Sequence, residues 1–234
     1  MKGKIVEFET MGLVDGPGMR LVVFMAGCAL RCVYCHNPES WHVGSKYIEV
    51  SSEDVLNQYK KYASYYGESG GVTFSGGEPL LQSKFVLETI KLLKQNNIHV
   101  AIDTAGYADD YEEILDLVDL VILDIKSTEA DEYQKITDAK IDKFNNFLNS
   151  CVRKNKKLWF RQVIVPGIND DEEHVKKLAK FANSIPNVEN IELLPYHTMG
   201  VHKYKELCLE YKLDGVPNMD AEKCKELEKL LKRA

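Results

Sequence analysis

The sequence predicts an α/β fold in which six parallel strands, each followed by a helix, form a partial barrel. Short apolar runs rich in β-branched and aromatic residues recur along the chain, and each precedes an amphipathic stretch. The runs are almost continuously apolar, as is typical of parallel strands that are covered on both faces. A full eight-unit barrel typically takes about 250 residues, so the 234 residues of this chain suit six units and an N-terminal extension. We therefore expect a single domain over residues 1–234.

The individual strands and helices follow from this apolar pattern. In chain order, the predicted strands are LVVFM (21–25), GVTF (71–74), HVAID (99–103), LVILDI (120–125), LWFRQVIV (158–165) and NIELLP (190–195). The first helix begins at a capping box formed by Ser51 and Asp54, and the second, FVLETIKLLKQ, has apolar residues at helical spacing. Further helices are predicted over 109–117, 138–153, 171–183 and 220–233.

The charge balance argues against nucleic acid as a main partner. The formal net charge is −6 and the isoelectric point is about 5.6, which leaves no broad basic face for phosphate backbones. The N-terminal stretch carries acidic residues and glycines where a secretory signal needs an apolar core, and no apolar run approaches the roughly 20 residues that span a bilayer. We expect a soluble, cytoplasmic monomer that binds no membrane.

The stretch GCALRCVYC (27–35) contains three cysteines with the spacing C-x3-C-x2-C. Thiolates are soft ligands that suit zinc or iron–sulfur clusters. A structural zinc site would use Cys28, Cys32, Cys35 and the adjacent His36, although zinc sites usually pair two short hooks from separate parts of the chain. A four-iron cluster on the three cysteines would instead leave one iron open to the amine and carboxylate of a ligand. The other cysteines are expected to be ordinary, half-buried thiols: Cys151, Cys208 and Cys224.

Polar residues gather at the predicted carboxyl ends of the strands. SGGEP (75–79) follows the second strand, Asp103 and Thr104 follow the third, Asp124 and Lys126 end the fourth, and PYH (195–197) ends the sixth. Because the carboxyl ends of parallel strands converge on one face, we expect these residues to surround one site. Alternation points Asp124 and Lys126 to the same side, where the lysine would offset repulsion between carboxylates.

Several motifs resemble a known family. The cysteine array with Tyr34 as the aromatic residue before its last cysteine, followed by GGEP (76–79), resembles the radical S-adenosylmethionine enzymes, which fold as a partial (β/α)6 TIM-like barrel. Three further stretches, DGPGMR (15–20), CHNPE (35–39) and LLPYHTMGVHKY (193–204), are similar to the activating enzymes of glycyl radical enzymes, in particular those of pyruvate formate-lyase.

Two alternatives to that resemblance stay open. One is activation of a different glycyl radical enzyme, although many such activators carry additional ferredoxin-like cysteines and the chain has none between His36 and Ser75. The other is a zinc-bound module that binds a peptide without chemistry. A brown, reducible protein purified under argon would favour the cluster, and a colourless protein with stoichiometric zinc would favour the module.

The resemblance implies a reaction, two cofactors and two partners. A [4Fe-4S] cluster on the three cysteines would pass one electron to S-adenosylmethionine and split it into methionine and a 5′-deoxyadenosyl radical. That radical would take a hydrogen atom from a glycine in a loop of pyruvate formate-lyase. A reduced flavodoxin or ferredoxin would supply the electron under anaerobic conditions, and no side chain is implied to be catalytic beyond the cluster and cofactor.

The resemblance also assigns the site residues. The implied cofactor contacts are Tyr34, Cys35, His36, Gly76, Gly77, Glu78, Asp103, Asp124, Ile125, Lys126 and His197. The implied peptide contacts are Asp15, Gly16, Arg20, Asn37 and Arg161. Lys126 would bind the cofactor carboxylate, and Asp103 with Asp124 would take a hydrogen bond or a monovalent cation. Glu78 either contacts the cofactor or braces its loop, and Arg161 either binds a ligand or forms an ion pair inside the barrel.

Overall fold

The computed structural model describes residues 1–41 and 47–231, and one sheet of eight strands runs through it. The strands are β1 (Lys2–Gly12), β2 (Arg20–Met25), β3 (Ile48–Ser51), β4 (Gly71–Gly76), β5 (Val100–Thr104), β6 (Leu120–Asp124), β7 (Leu158–Ile164) and β8 (Val188–Pro195). They lie in the order β3-β1-β2-β4-β5-β6-β7-β8, so β3 and β8 are the edges of the sheet. The run from β2 through β4 to β8 is parallel throughout, which confirms the six predicted strands.

Two strands of the sheet are additional to the prediction. β1 pairs antiparallel with both β2 and β3, so the N-terminal extension is part of the sheet. The sequence of β1, KGKIVEFETMG, mixes charged and apolar residues, and its buried positions are interspersed with exposed ones. It therefore lacks the continuous apolar run that identifies the parallel strands.

The helices lie between the strands and after the last one. They are α1 (Ser52–Tyr66), α2 (Ser83–Gln95), α3 (Glu112–Leu117), α4 (Ala130–Thr137), α5 (Asp142–Arg153), α6 (Glu172–Asn183), α7 (Val201–Glu206) and α8 (Ala221–Leu231). The predicted capping box opens α1, with Asp54 N donating to Ser51 Oγ at 3.2 Å and Ser51 N donating to Asp54 Oδ2 at 2.8 Å. The predicted helix over 138–153 is wrong at its start, because Asp138 has a left-handed φ of 59° and ends α4. Helices α4 and α7 are not predicted, and residues 232–233 lie outside the described residues.

Alternation along the strands gives the sheet an outer and an inner face. Val72 and Phe74 of β4 pack into the main hydrophobic core. The alternate residues point inward, where Thr73 donates to a loop carbonyl at 2.7 Å and Ser75 donates to Asp103 Oδ2 at 3.0 Å. The inner face also carries a small apolar cluster, in which Trp159 packs against Ala101, Leu120 and Ile122. Across the described ranges, no helix combines the length and the apolar character needed to cross a membrane.

The amino end of the barrel is closed by the loop over residues 13–19, which joins β1 to β2. Arg20 is fully buried there and donates to Thr73 Oγ1 at 2.6 Å. It also donates to the carbonyls of Pro17 and Val72, at 3.0 and 2.9 Å. These bonds tie the loop to β4 at the end of the barrel opposite the cysteines.

Candidate active site

A cavity of about 200 Å³ lies at the carboxyl ends of the strands, with the cysteine loop as one wall. It brings together most of the residues that the sequence predicts for the site. These are Cys28, Cys32, Tyr34, Cys35, His36, Asn37, Gly76, Gly77, Asp103, Asp124 and Lys126. The cysteine loop and the ends of β4, β5 and β6 therefore share one space.

The cysteine loop is fixed by hydrogen bonds to two helices that lie far along the chain. The backbone N–H groups of Arg31 and Val33 donate to the last two carbonyls of α4, both at 2.9 Å. The Tyr204 hydroxyl of α7 donates to the Cys35 carbonyl at 2.9 Å. The two helices that the sequence does not predict are thus the ones that position this loop.

The three thiols of the loop are buried. Burial raises the pKa of Cys28 to about 11 and that of Cys32 to about 12, and it also raises the pKa of Cys35. The free thiols are therefore protonated at neutral pH, and iron must displace their protons when it binds. The other cysteines do not line the cavity, and the expectation that they are half-buried is wrong: Cys151 and Cys224 are buried and Cys208 is exposed.

Gly76 and Gly77 let the end of β4 lie against the cysteine loop. A Cβ atom on Gly77 would fall 2.2 Å from the Gly27 carbonyl oxygen. Gly76 has a φ of 97°, and a Cβ there would fall 2.6 Å from Met25 N. Gly77 N in turn donates to the Met25 carbonyl at 2.9 Å. Any side chain at either position would separate the strand end from the loop, which is a backbone reason for both glycines.

Glu78 is buried and its carboxylate is used within the protein. Thr104 Oγ1 donates to Oε1 at 2.5 Å, and the backbone N–H groups of Leu80 and Ala105 donate to Oε1 and Oε2 at 3.2 and 3.1 Å. Burial raises the pKa of Glu78, and these donors oppose that effect. Of the two roles that the sequence leaves open for Glu78, the geometry favours bracing of the loop.

Lys126 and Asp124 form a mostly buried ion pair at the end of β6. Lys126 Nζ lies 2.5 Å from Asp124 Oδ2 and 5.3 Å from the centre of the Tyr34 ring. Burial alone would lower the pKa of Lys126, but the nearby Asp124 carboxylate raises it well above its ordinary value, so the amine stays charged. Among the described residues, Asp124 Oδ1 and the Tyr34 hydroxyl are buried without a hydrogen-bond partner. Such atoms are costly unless a ligand satisfies them.

Asp103 and Arg161 form an ion pair inside the barrel. Asp103 Oδ2 lies 3.5 Å from Arg161 Nη1, and Arg161 Nε lies 3.1 Å from Glu192 Oε2. Burial raises the pKa of Asp103 to about 6, with Arg161 opposing the shift and Asp124 adding to it. The structure thus gives Arg161 the intramolecular role that is one of its two predicted roles.

His36 and His197 stack beside the cavity. Their ring centres are 3.9 Å apart, and His36 Nε2 donates to the His197 carbonyl at 2.8 Å. Burial, reinforced by His197, lowers the pKa of His36 to about 4, so this ring is neutral at neutral pH. His197 Nδ1 is buried and has no hydrogen-bond partner in the described part of the chain. The stacked pair therefore includes a buried ring nitrogen that a ligand can satisfy.

Some predicted residues lie away from the cavity. Arg20 is buried at the amino end of β2, and Ile125 packs into the outer core. Asp15 and Gly16 belong to the loop over residues 13–19, where the Asp15 carbonyl accepts a hydrogen bond from Thr73. The structure does not bring these four residues to the cavity wall.

The cavity also contains residues to which the sequence assigns no role. They are Leu30, Ser40, Trp41, Ser75, Thr104, Ala105 and Val163. Ser75, within SGGEP, and Thr104, after Asp103, are strand-end polar residues that the sequence does place around the site, although without a role of their own. Trp41 lies two residues after CHNPE, and no spacing in the sequence indicates that its side chain borders the cavity.

The cavity suits a [4Fe-4S] cluster and an amino acid cofactor. Three buried thiols on one loop are the soft donors that iron–sulfur clusters take. Lys126 and the unpartnered Asp124 Oδ1 offer the two charges that a carboxylate and an amine require.

Comparison with known proteins also indicates an enzyme that uses a [4Fe-4S] cluster. The model of the Radical SAM superfamily matches residues 22–180. A radical SAM methyltransferase from Sphaerobacter thermophilus has a similar fold, with a TM-score of 0.65 at 14% identity over 92% of this chain and 64% of that one. The fold and the cavity are those of a radical SAM enzyme.

Two relatives narrow the class further. A pyruvate formate-lyase-activating enzyme of Clostridium pasteurianum is 51% identical over 233 residues, which are 98% of this chain and 97% of that protein. The structure of a domain of pyruvate-formate lyase-activating enzyme from Bacteroides vulgatus covers 70% of this chain and 94% of its own, at 28% identity and a TM-score of 0.57. The chain therefore belongs to the family of the pyruvate formate-lyase-activating enzymes within the radical SAM superfamily. Its cofactors are accordingly a [4Fe-4S] cluster and S-adenosylmethionine.

Proposed function

We propose that this chain activates pyruvate formate-lyase by generating a radical on a glycine of that partner. When bound, the cluster and S-adenosylmethionine supply reductive cleavage of the cofactor and removal of a hydrogen atom from the glycine. The observation that carries the proposal is that three buried thiols, the glycine end of β4 and the Asp124–Lys126 pair share one cavity. The 51% identity to a pyruvate formate-lyase-activating enzyme supports this partner over a different glycyl radical enzyme.

The chain's own residues bind and orient the cofactors in this proposal. Cys28, Cys32 and Cys35 ligate the cluster. Lys126 binds the carboxylate of S-adenosylmethionine, because its buried amine is charged and lies against the cavity. The following residues complete the contacts: Tyr34, His36, Gly76 and Gly77 along the cofactor, Asp103 and Asp124 for its amine or a monovalent cation, and His197 through Nδ1.

The open side of the barrel is the proposed entry for the partner. The edge strands β3 and β8 do not pair, so the sheet does not close around its inner face. An extended loop entering there can bring a glycine α-carbon close to the cofactor, since glycine has no side chain in the way. In this proposal, Asn37 in the cavity wall and Arg161 inside the barrel bind the main chain and hold a reactive geometry.

The proposal also covers the electron donor, the oligomeric state, the cellular compartment and the domain organisation. A reduced flavodoxin or ferredoxin supplies the electron, and the chain acts as a monomer in the cytoplasm under anaerobic conditions. Residues 1–234 form one radical SAM domain, which is supported by the single sheet that contains strands from Lys2 to Pro195.

The test is an anaerobic incubation of reconstituted protein with dithionite, S-adenosylmethionine and a short peptide that spans the radical glycine of pyruvate formate-lyase. With deuterium on the glycine α-carbon, we expect one deuterium in the 5′-deoxyadenosine product and a glycyl signal by electron paramagnetic resonance. An otherwise identical alanine peptide should give neither. A radical that forms only on the peptide of another glycyl radical enzyme would contradict the partner, and stoichiometric zinc in a colourless protein would contradict the reaction.

A further inference from the structure

The side chain of Asn37 is bound by a lysine that lies 166 residues further along the chain. Lys203 Nζ donates to Asn37 Oδ1 at 3.0 Å, and the same Nζ pairs with the Glu39 carboxylate. Asn37 directly precedes the short 3₁₀ helix Pro38–Ser40, where an asparagine side chain often caps the first turn, but among the described residues it makes no capping hydrogen bond. The amide is therefore held by the lysine and not by the helix that it precedes.

Helix α7, which carries Lys203, is docked directly on the cysteine loop. Gly200 precedes the helix and lies so close to His36 that a Cβ atom there would fall 2.7 Å from the His36 carbonyl oxygen. Tyr204, the residue after the lysine, donates its hydroxyl to the Cys35 carbonyl at 2.9 Å. Because the helix rests on the two residues that precede the asparagine, the position of its lysine relative to the asparagine is fixed.

The lysine decides which way the Asn37 amide faces. An ammonium group only donates hydrogen bonds, so it selects the amide oxygen and turns the NH2 group away from itself. Asn37 lies between two cavities: Lys203 borders a smaller one of about 80 Å³, and the three loop cysteines border the larger one of about 200 Å³. Since the oxygen faces the lysine, the NH2 group is left to donate toward the larger cavity.

We propose that Lys203 is a positioning residue that presents the Asn37 NH2 group to a main-chain carbonyl of the partner's glycine loop. The inference rests on the proposed function, in which Asn37 binds that main chain. A main-chain carbonyl only accepts hydrogen bonds, so an amide that presented its oxygen instead would repel it. Without the lysine the amide can present either end, and the loop then binds more weakly because only a fraction of the protein is competent.

The test is a double-mutant cycle on the affinity of reconstituted protein for the glycine peptide of pyruvate formate-lyase, with S-adenosylmethionine and without reductant. Lys203→Met should weaken peptide binding about fivefold when Asn37 is present and have no effect in an Asn37→Ala background. Lys203→Arg should bind nearly as wild type does, because a guanidinium also only donates. Lys205→Met removes an exposed lysine of the same helix and should match wild type. Iron content and affinity for S-adenosylmethionine should be unchanged throughout.

Asn37→Asp gives a second readout, because aspartate keeps an oxygen for Lys203 but has no NH2 group. It should bind the peptide at least as weakly as Asn37→Ala does. Wild-type affinity in Asn37→Asp, or an equal loss from Lys203→Met in both backgrounds, overturns the inference. If Lys203→Met does not retain the cluster, Asn37→Asp decides.

The proposed function has a separate readout in the glycyl radical that wild type forms on this peptide. A radical together with either contradicting result removes the inference and leaves the proposed function standing. If wild type neither binds the peptide nor forms the radical, both fail.

Discussion

Asp103 is a carboxylate among other charges. Ser75 of β4 and Arg161 of β7 contact its Oδ2, while Asp124 of β6 and Asp15 of the loop over residues 13–19 add negative charge nearby. Burial is the largest influence and raises the pKa of Asp103 to about 6, above the ordinary value near 3.8. The ionised form is therefore held in the fold at a cost, which a bound cation or the cofactor amine would offset.

Because burial disfavours the ionised Asp103 carboxylate, the stability of the cofactor-free protein should depend on pH. Because the folded pKa is raised, the contribution of Asp103 is fully present below about pH 4 and is lost as the pH rises through about 6. The free energy of unfolding of wild type minus that of Asp103→Asn should fall by roughly 3 kcal/mol over this range and then stay level. Urea titrations at several pH values measure the difference, and a curve that is flat from pH 4 to 7 would contradict the assignment.

At the scale of secondary-structure elements, helix α4 holds the cysteine loop through hydrogen bonds to its backbone carbonyls. Its last two carbonyls accept from Arg31 and Val33, and its last turn is fixed by Thr137 Oγ1, which donates to the Tyr133 carbonyl at 2.7 Å. Asp138 then ends the helix with a φ of 59°. An asparagine, aspartate or glycine tolerates this conformation, and a β-branched residue does not.

Asp138→Val should therefore destabilise the protein and loosen its cluster. We expect the free energy of unfolding to fall by about 1–2 kcal/mol, because a β-branched side chain is strained in the left-handed region. Iron should be lost to a chelator faster, since the carbonyls that hold the loop move with the end of α4. Asp138→Gly is the control and should stay within about 1 kcal/mol of wild type. Equal chelator resistance in the two variants would show that α4 does not hold the cysteine loop.

The sequence predicts elements where burial on both faces leaves a simple pattern. The six parallel strands are such runs, and the convergence of Asp103, Asp124 and Lys126 follows from their places at strand ends. Helix α4 is missed because it is short and charged, so its two buried apolar side chains, Tyr133 and Ile136, make a weak periodic signal. Contacts between distant segments, such as the Tyr204 hydroxyl on the Cys35 carbonyl, are not encoded in local spacing and require the packed structure.

At the scale of the whole molecule, two arginines that the sequence assigns to one peptide-binding rim lie at different heights in the barrel, and both donate to the loop over residues 13–19. Arg20 starts β2, five residues before Met25, which is roughly 16 Å of strand from the cysteine loop. Arg161 is the central residue of β7, where it lies beside Asp103 and donates through Nη2 to the Val14 carbonyl. The barrel thus has an amino end closed by buried hydrogen bonds and a carboxyl end that carries the chemistry.

Substituting each arginine by lysine separates these two ends. Arg20→Lys keeps the charge but cannot reach Thr73, Pro17 and Val72 together, so the free energy of unfolding should fall by about 3 kcal/mol as buried carbonyls lose their donor. At a temperature where it is folded by circular dichroism, its apparent KM for the glycine peptide should equal that of wild type. Arg161→Lys, at the end where the peptide is proposed to bind, should raise that KM about tenfold, the equivalent of about 1.4 kcal/mol. If folded Arg20→Lys raises the KM as much as Arg161→Lys does, the two arginines do not have separate structural and binding roles, and this assignment is wrong.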